Sequence, residues 1–311
     1  MTSAPPLNLV TGGAGFIGSH LCHALLAAGE RVRVLDDFSS GRAENLSGLG
    51  IELLRGDIRD PEVCRQACSG VDFVFHLAAQ VSVPQSLTAP ELSFAVNTQG
   101  TFHLLQAARD CGVRRLIYSS TCAVYGDLPE LPKRESSPLR PLSPYAASKL
   151  AGEDWCQAFT HSYQLSTVRL RYFNVYGPRQ DPGSPYSGVL AIFKRQLSQH
   201  RACSIFGNGE TTRDFVFVED VAQANLAART QPRAHGEVLN IGAGVETSLH
   251  SLYQTLADLA GISLPPVYGP ARPGDIPRSV ADLSHTRSIL NWTPAWSLRD
   301  GLRRLWQAPE P

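Results

Sequence analysis

The stretch "LVTGGAGFIGSH", residues 9 to 20, constrains the fold of this chain more than any other. Gly12, Gly13, Gly15 and Gly18 fall between a β-rich run, "LNLVTG" (7–12), and a helical pattern, "GSHLCHALLAAG" (18–29). Glycines allow a tight turn and let backbone N–H groups close on a pyrophosphate, while the following helix start offers partial positive charge. The next strand, "RVRVLDD" (31–37), carries Asp36 at its end, 18 positions after Gly18. A carboxylate there accepts from both ribose hydroxyls and repels a 2′-phosphate, which favours NAD over NADP.

The rest of the first half repeats the alternation. "IELLRGD" (51–57), a helix near 61–69, "VDFVFHLAA" (71–79), a helix over 91–112, "RRLIYSST" (114–121), a long helix "PYAASKLAGEDWCQAFTHSY" (144–163) and "LSTVRLRYFNVYG" (165–177) follow in order. Strands alternating with helices predict an α/β, doubly wound parallel sheet of Rossmann type covered on both faces. The second half is richer in Pro and Gly and less regular. The expected division is a cofactor domain, 1–172 plus about 216–242, and a smaller substrate domain, about 173–215 plus 243–311.

Composition narrows the function. Lys+Arg and Asp+Glu both total 28, which argues against a nucleic-acid or anionic-membrane surface. No apolar run approaches the roughly 18 residues of a membrane span, and the N-terminus lacks a signal-peptide pattern, so a cytoplasmic protein is expected. The seven cysteines are scattered without CxxC pairs, which argues against disulfides and against a metal site.

Two further acidic or small-residue segments fit a dinucleotide. "GDIRD" (56–60) puts Asp57 at a strand end, where it either accepts from an adenine amino group or caps the next helix. "LAAQ" (77–80) lets backbone pass close to a ligand. Tyr145 and Lys149 are four apart and share one helix face. Bringing a phenol from about 10 to about 7 takes roughly 4 kcal/mol, which two cations in a sheltered site can supply and one lysine in water cannot. The bland alternative is an exposed aromatic beside a solvated lysine.

Together "TGGAGFIG", "GDIRD", "LAAQ", "SSTCAVYG", "YAASK" and "LRYFNVYGP" resemble the extended short-chain dehydrogenase/reductase superfamily, and within it the NAD-dependent epimerases and dehydratases of nucleotide sugars. The resemblance runs from about residue 8 to the end of the chain. It implies a tightly held, recycled NAD, with Thr121 as the catalytic hydroxyl, Tyr145 as the base and Lys149 as its partner. It implies cofactor contacts from Gly12, Gly15, Phe16, Ile17, Gly18, Asp36, Asp37, Phe38, Ser39, Gly41, Asp57, Ile58 and Leu77-Ala78-Ala79-Gln80. Asn97 and Ser119 should lie along the nicotinamide and its ribose, and Phe173 near the ring.

The resemblance extends to "FGNGETTRDFVFVEDV" (206–221) and "ARPGDIPRSVAD" (271–282), which are similar to the family's UDP-sugar clamps. Arg213 and Arg272 can each present paired donors to a diphosphate, with Asp214 and Asp275 available as ion-pair partners instead. Ser120, Asn174, Val189, Ser204, Phe206, Asp275 and Ser279 complete the implied substrate set, with Phe206 against the uracil. The family's dehydratases carry an Asp-Glu pair after the catalytic hydroxyl. Here Cys122-Ala123 stand there, and neither can act as that acid. The implied activity is therefore 4-epimerisation of a UDP-hexose through a transient 4-keto sugar and bound NADH. Members restricted to glucose and galactose tend to have Tyr where this chain has Ser279, so the N-acetylated pair is expected as well. A nucleotide-sugar decarboxylase, uronate epimerase or dehydratase, and a non-catalytic NAD-binding regulator, stay open as alternatives. A homodimer through the helices near 91–112 and 144–163 is implied.

Overall fold

The computed structural model describes residues 4–180, 188–271 and 276–309. Among these residues the central sheet has seven strands, all parallel: β1 (Leu7–Thr11), β2 (Arg31–Asp36), β3 (Glu52–Arg55), β4 (Phe73–His76), β5 (Arg115–Thr121), β6 (Thr167–Tyr172) and β10 (Val238–Ile241), in the order β10-β6-β5-β4-β1-β2-β3. The chain winds outward from β1 to β3, then crosses back to β4 on the other side of β1. That reversal opens a crevice at the carboxyl ends of β1 and β4, where open α/β sheets bind ligands.

Side chains alternate across the strands, so each strand feeds two cores. Val10, Ile117 and Val168 face α1 (Phe16–Ala27) and α8 (Val218–Thr230), while Leu9, Leu116 and Tyr118 face α2 (Pro61–Cys68), α5 (Thr101–Asp110) and α6 (Pro144–Tyr163). A third core joins α7 (Val189–Ser198), α9 (Leu249–Ala260) and α11 (Leu298–Gln307) to a sheet ordered β11-β9-β7, made of β7 (Asn174–Tyr176), β9 (Thr212–Phe217) and β11 (Glu246–Ser248). A two-stranded ribbon pairs β8 (Ser204–Phe206) with β12 (Val267–Gly269), and α10 (Ser284–Leu290) packs beside β10.

Two elements differ from the sequence-based expectation. The helix expected over 91–112 is three pieces: the short α4 (Pro90–Ser93), a π-helical stretch Phe94–Gly100, then α5; α3 (Val83–Thr88) precedes them. The strand expected over 165–177 breaks at Phe173, and its two parts join different sheets. By contrast α6 runs over the expected 144–163. Ser143 caps it by accepting from the Ala146 N–H at 3.1 Å, and Pro144 sits at its first position.

Candidate active site

The Gly-rich turn is shaped for close approach. Gly12 has φ +70°, and a Cβ there would stand 2.7 Å from the Ala78 nitrogen. A Cβ on Gly18 would stand 2.1 Å from the Gly12 oxygen, so the start of α1 packs directly on the turn. Gly15, the N-cap of α1, brings no side-chain cap, and the first turn of α1 holds no acid. The first-turn N–H groups thus face the cradle with a partial positive charge, as a pyrophosphate requires. Asp36 is buried at the end of β2. Its two oxygens accept the Ala14 and Phe38 N–H groups, each at 2.8 Å. A carboxylate has about four lone-pair positions, so two remain for ribose hydroxyls. Burial raises its pKa against those two bonds. These residues fit a bound NAD.

Around this cradle, Phe38 also has a positive φ of 60°, with the Arg55 guanidinium over its ring. Asp37 accepts the Ser39 N–H and hydroxyl. Gly41 packs against Asp36, where a Cβ would stand 2.8 Å from Oδ1. Ile58 is buried under Gly100. Asp57 differs from one of its two expectations: Asp60 caps α2, accepting from Glu62 N–H at 2.8 Å. Asp57 instead grips Arg59, whose Nε lies at 2.8 Å, and this bond holds its carboxyl below the usual range.

At the end of β5, Thr121 and Tyr145 meet. The Thr121 hydroxyl acts on the Tyr145 phenol, and the Thr121 oxygen accepts the Ala123 N–H at 3.2 Å. Burial pushes the Tyr145 phenol up to about 12, opposed by the Thr121 hydroxyl. One turn on, Lys149 is buried with its ammonium 4.5 Å from the Tyr118 ring centre, and burial lowers it to about 8. Both shifts have the same cause: a sheltered site penalises charge. A bound cationic ring beside the phenol would reverse the balance for Tyr145.

Three residues expected at the ligands hold partners within the protein. The Ser120 hydroxyl is buried and donates to Glu153, which also accepts Arg171 at 2.7 Å. Asn97, on the π-helical stretch, spends its amide on the Gln80 N–H (2.8 Å), the Gln80 carbonyl (2.9 Å) and the Ser148 hydroxyl (3.0 Å). It pins the Leu77–Gln80 segment to α6. Ser119 pairs with the Tyr172 hydroxyl at 3.0 Å. Leu77 and Ala78 donate their N–H groups to Thr11, and Ala79 lies between them and the pinned Gln80. Phe173 is buried with Tyr125, Ala281 and Leu283, against which Cys122 packs.

On the other wall, Asn174 opens β7, Val189 opens α7, and Ser204 and Phe206 bound β8 with exposed side chains. The Arg213 Nη1 donates to the Thr212 and Ile276 carbonyls at 2.8 and 2.7 Å, and Asp214 turns to backbone N–H groups, so the two do not pair. Arg272 and Asp275 lie outside the described residues. Ser279 is half-buried and lies near the Cys122 thiol, which burial and the Asp214 charge push up to about 12. Such a thiol is inert.

Sequence reasoning missed Tyr118, Glu153 and Arg171. Glu153 continues the Tyr145–Lys149 row at a second helical interval, and that spacing was the available signal. A buried pair of this kind is costly to break from one side.

Residues 8–242 match the pattern of the NAD dependent epimerase/dehydratase family. The chain is 42% identical over 303 residues to the UDP-glucose 4-epimerase of Mycolicibacterium smegmatis, covering 96% of each chain. A crystal structure of UDP-glucose 4-epimerase from Thermotoga maritima with UDP-glucose superposes with a TM-score of 0.93 at 39% identity, over 97% of each chain. The UDP-N-acetylglucosamine 4-epimerase from Methanobrevibacter ruminantium, in complex with UDP-N-acetylmuramic acid, gives 0.93 at 35% identity, over 97% of this chain and 98% of that one.

Proposed function

The chain belongs to the NAD-dependent epimerase/dehydratase family, and from that premise we propose that it interconverts UDP-glucose with UDP-galactose, and UDP-N-acetylglucosamine with UDP-N-acetylgalactosamine, by inverting carbon 4. The observation that carries this reading is the placement of Thr121 at the end of β5 beside Tyr145, one helical turn from the buried Lys149 and next to a cradle that fits NAD.

NAD, when bound, supplies a reversible two-electron sink, so no net redox partner is needed. The residues of the chain do the rest. Tyr145, as phenolate, takes the proton of the carbon 4 hydroxyl. Thr121 hydrogen-bonds the same oxygen and steers it to Tyr145. Lys149 holds positive charge under the phenol and favours its ionised form. The sugar, oxidised at carbon 4, turns its other face, and Tyr145 returns the proton to the new alcohol.

The absence of an acid after Thr121 supports epimerisation over dehydration. Cys122 and Ala123 hold the two following positions, and the nearby Asp214 carboxylate is committed to three backbone N–H groups. Ser279 supports the wider substrate range, because a small side chain there leaves room for an N-acetyl group. A homodimer completes the proposal: Leu87, Phe94, Trp155 and Tyr163 are exposed along α3 to α6. Such a row of apolar side chains suits an interface.

The test is to incubate purified protein with each UDP-sugar, without added NAD, and to separate the products. Interconversion at carbon 4 with no net NADH is the expected result. Lack of interconversion for every UDP-sugar would reject the proposal.

A further inference from the structure

Asp214 is a buried carboxylate beside the cleft with no part in the proton chemistry. It lies on β9 between Arg213 and Phe215 and has no exposed surface. Its Oδ1 accepts the Ala243 N–H at 2.6 Å, and its Oδ2 accepts the Gly244 and Ala281 N–H groups at 2.9 and 3.0 Å. Gly242 makes the room: a Cβ there would stand 2.6 Å from Asp214 Oδ2. One side chain thereby ties β9 to the turn after β10 and to the segment 279–282.

That segment is held from its other side too. The Lys133 N–H donates to the Val280 carbonyl and the Asp282 N–H to the Lys133 carbonyl, both at 2.8 Å. Ser279 comes immediately before these anchored residues, and Ala281 belongs to the apolar cluster on which Cys122, the neighbour of Thr121, packs. With 280, 281 and 282 each fixed, the backbone at 279 has no room to drift.

We infer that Asp214 is a positioning residue for sugar recognition: by holding Ala281 to the Ala243–Gly244 turn it sets the depth of the Ser279 wall beside Thr121, and with it the fit of the substituent on sugar carbon 2. The inference rests on the proposed nucleotide-sugar reading of the cleft. The groups around Asp214 are Arg213 on its own strand, the Cys122 thiol after β5, and Glu246, its register partner on β11, itself paired with Arg278. Burial outweighs the three N–H bonds and pushes Asp214 up to about 6, so its acceptor set changes in mildly acidic solution.

The test compares Asp214→Asn with Asp220→Asn in the full chain. Asp220 is also buried and also accepts two backbone N–H groups, from Ala295 and Trp296 at 2.8 and 3.2 Å, but it belongs to neither ligand set. An asparagine offers one acceptor oxygen, so at least one N–H at position 214 is left unpaired. Both variants should melt at lower temperature. Only Asp214→Asn should raise KM, by about tenfold for UDP-N-acetylglucosamine and less for UDP-glucose, with kcat changed by less than about threefold. The wild-type KM should rise as pH falls through about 6, and that limb should vanish in Asp214→Asn. If Asp214→Asn does not fold, Gly242→Ala, which presses a methyl on Oδ2, should give the same rise in KM. Wild-type turnover with unmoved KM in these variants would overturn the inference alone. A wild type that turns over no UDP-sugar would overturn the reading beneath it and the inference with it.

Discussion

Tyr118 grips Lys149 at both ends: its ring lies 4.5 Å under the ammonium, and its hydroxyl donates to the Lys149 carbonyl at 3.2 Å. Gly152 admits that hydroxyl, since a Cβ there would stand 2.2 Å from it. A desolvated cation over an aromatic face is worth about 2 kcal/mol. Tyr118→Leu should therefore lower kcat by about tenfold, whereas Tyr118→Phe, which keeps the ring, should stay within about threefold. Steady-state kinetics on the two variants checks this, and equal losses would show that the ring face is irrelevant.

The same burial sets a stability cost. Lys149 is lowered from 10.5 to about 8 in the folded protein, which is worth up to about 3 kcal/mol. The folded state disfavours the ammonium, so the cost is fully present below about pH 8 and fades as pH rises toward 10.5, where the unfolded chain also loses the proton. Lys149→Met should abolish turnover and raise the melting temperature at pH 7, with the gain shrinking by pH 10. Denaturation curves across that range decide it.

At the end of β5 the neighbouring residues should separate cleanly. Thr121→Val removes the hydroxyl beside Tyr145 and should lower kcat by about a hundredfold. Cys122→Ala should leave kcat nearly intact, because burial holds its thiol protonated. A large loss in Cys122→Ala would give the thiol a role that its environment argues against.

Ser279→Tyr should eliminate turnover of the N-acetylated sugars and keep that of the hexoses. The new ring would project beside Cys122, near which the serine hydroxyl now lies. Product separation for all four UDP-sugars is the measurement, and unchanged N-acetyl turnover would sink the idea.

Leu87 and Phe94 are 64% and 61% exposed, the largest exposures among the helical apolar residues proposed for the dimer. Phe94→Asp with Leu87→Asp should halve the mass seen by analytical ultracentrifugation. A wild type that sediments as a monomer would remove the homodimer from the proposal.

Much of this was legible in the chain because its causes are local. Ser143-Pro144 marks the start of α6, and glycines mark the turn before α1. The π-helical stretch was not legible, since Asn97 is drawn inward by Gln80 and by Ser148, 51 residues away. The Ser120 bond was not legible either, because its acceptor, Glu153, is 33 residues on. The break at Phe173 depends on which sheet each half joins, and no neighbouring residue announces that choice.

That break has a mechanical side. Tyr172 stands in register with Thr121, and Asn174 in register with Phe215, two residues beyond Arg213. Phe173 alone separates them, and its N–H still donates to the Ile241 carbonyl at 2.9 Å. The wall that bears Thr121 and the wall that bears Arg213 are thus strung on one continuous length of chain, like the two jaws of a caliper. In the proposed reaction, a sugar that must present both faces to the same phenol would then turn about its own bonds to the diphosphate while the two walls keep their spacing.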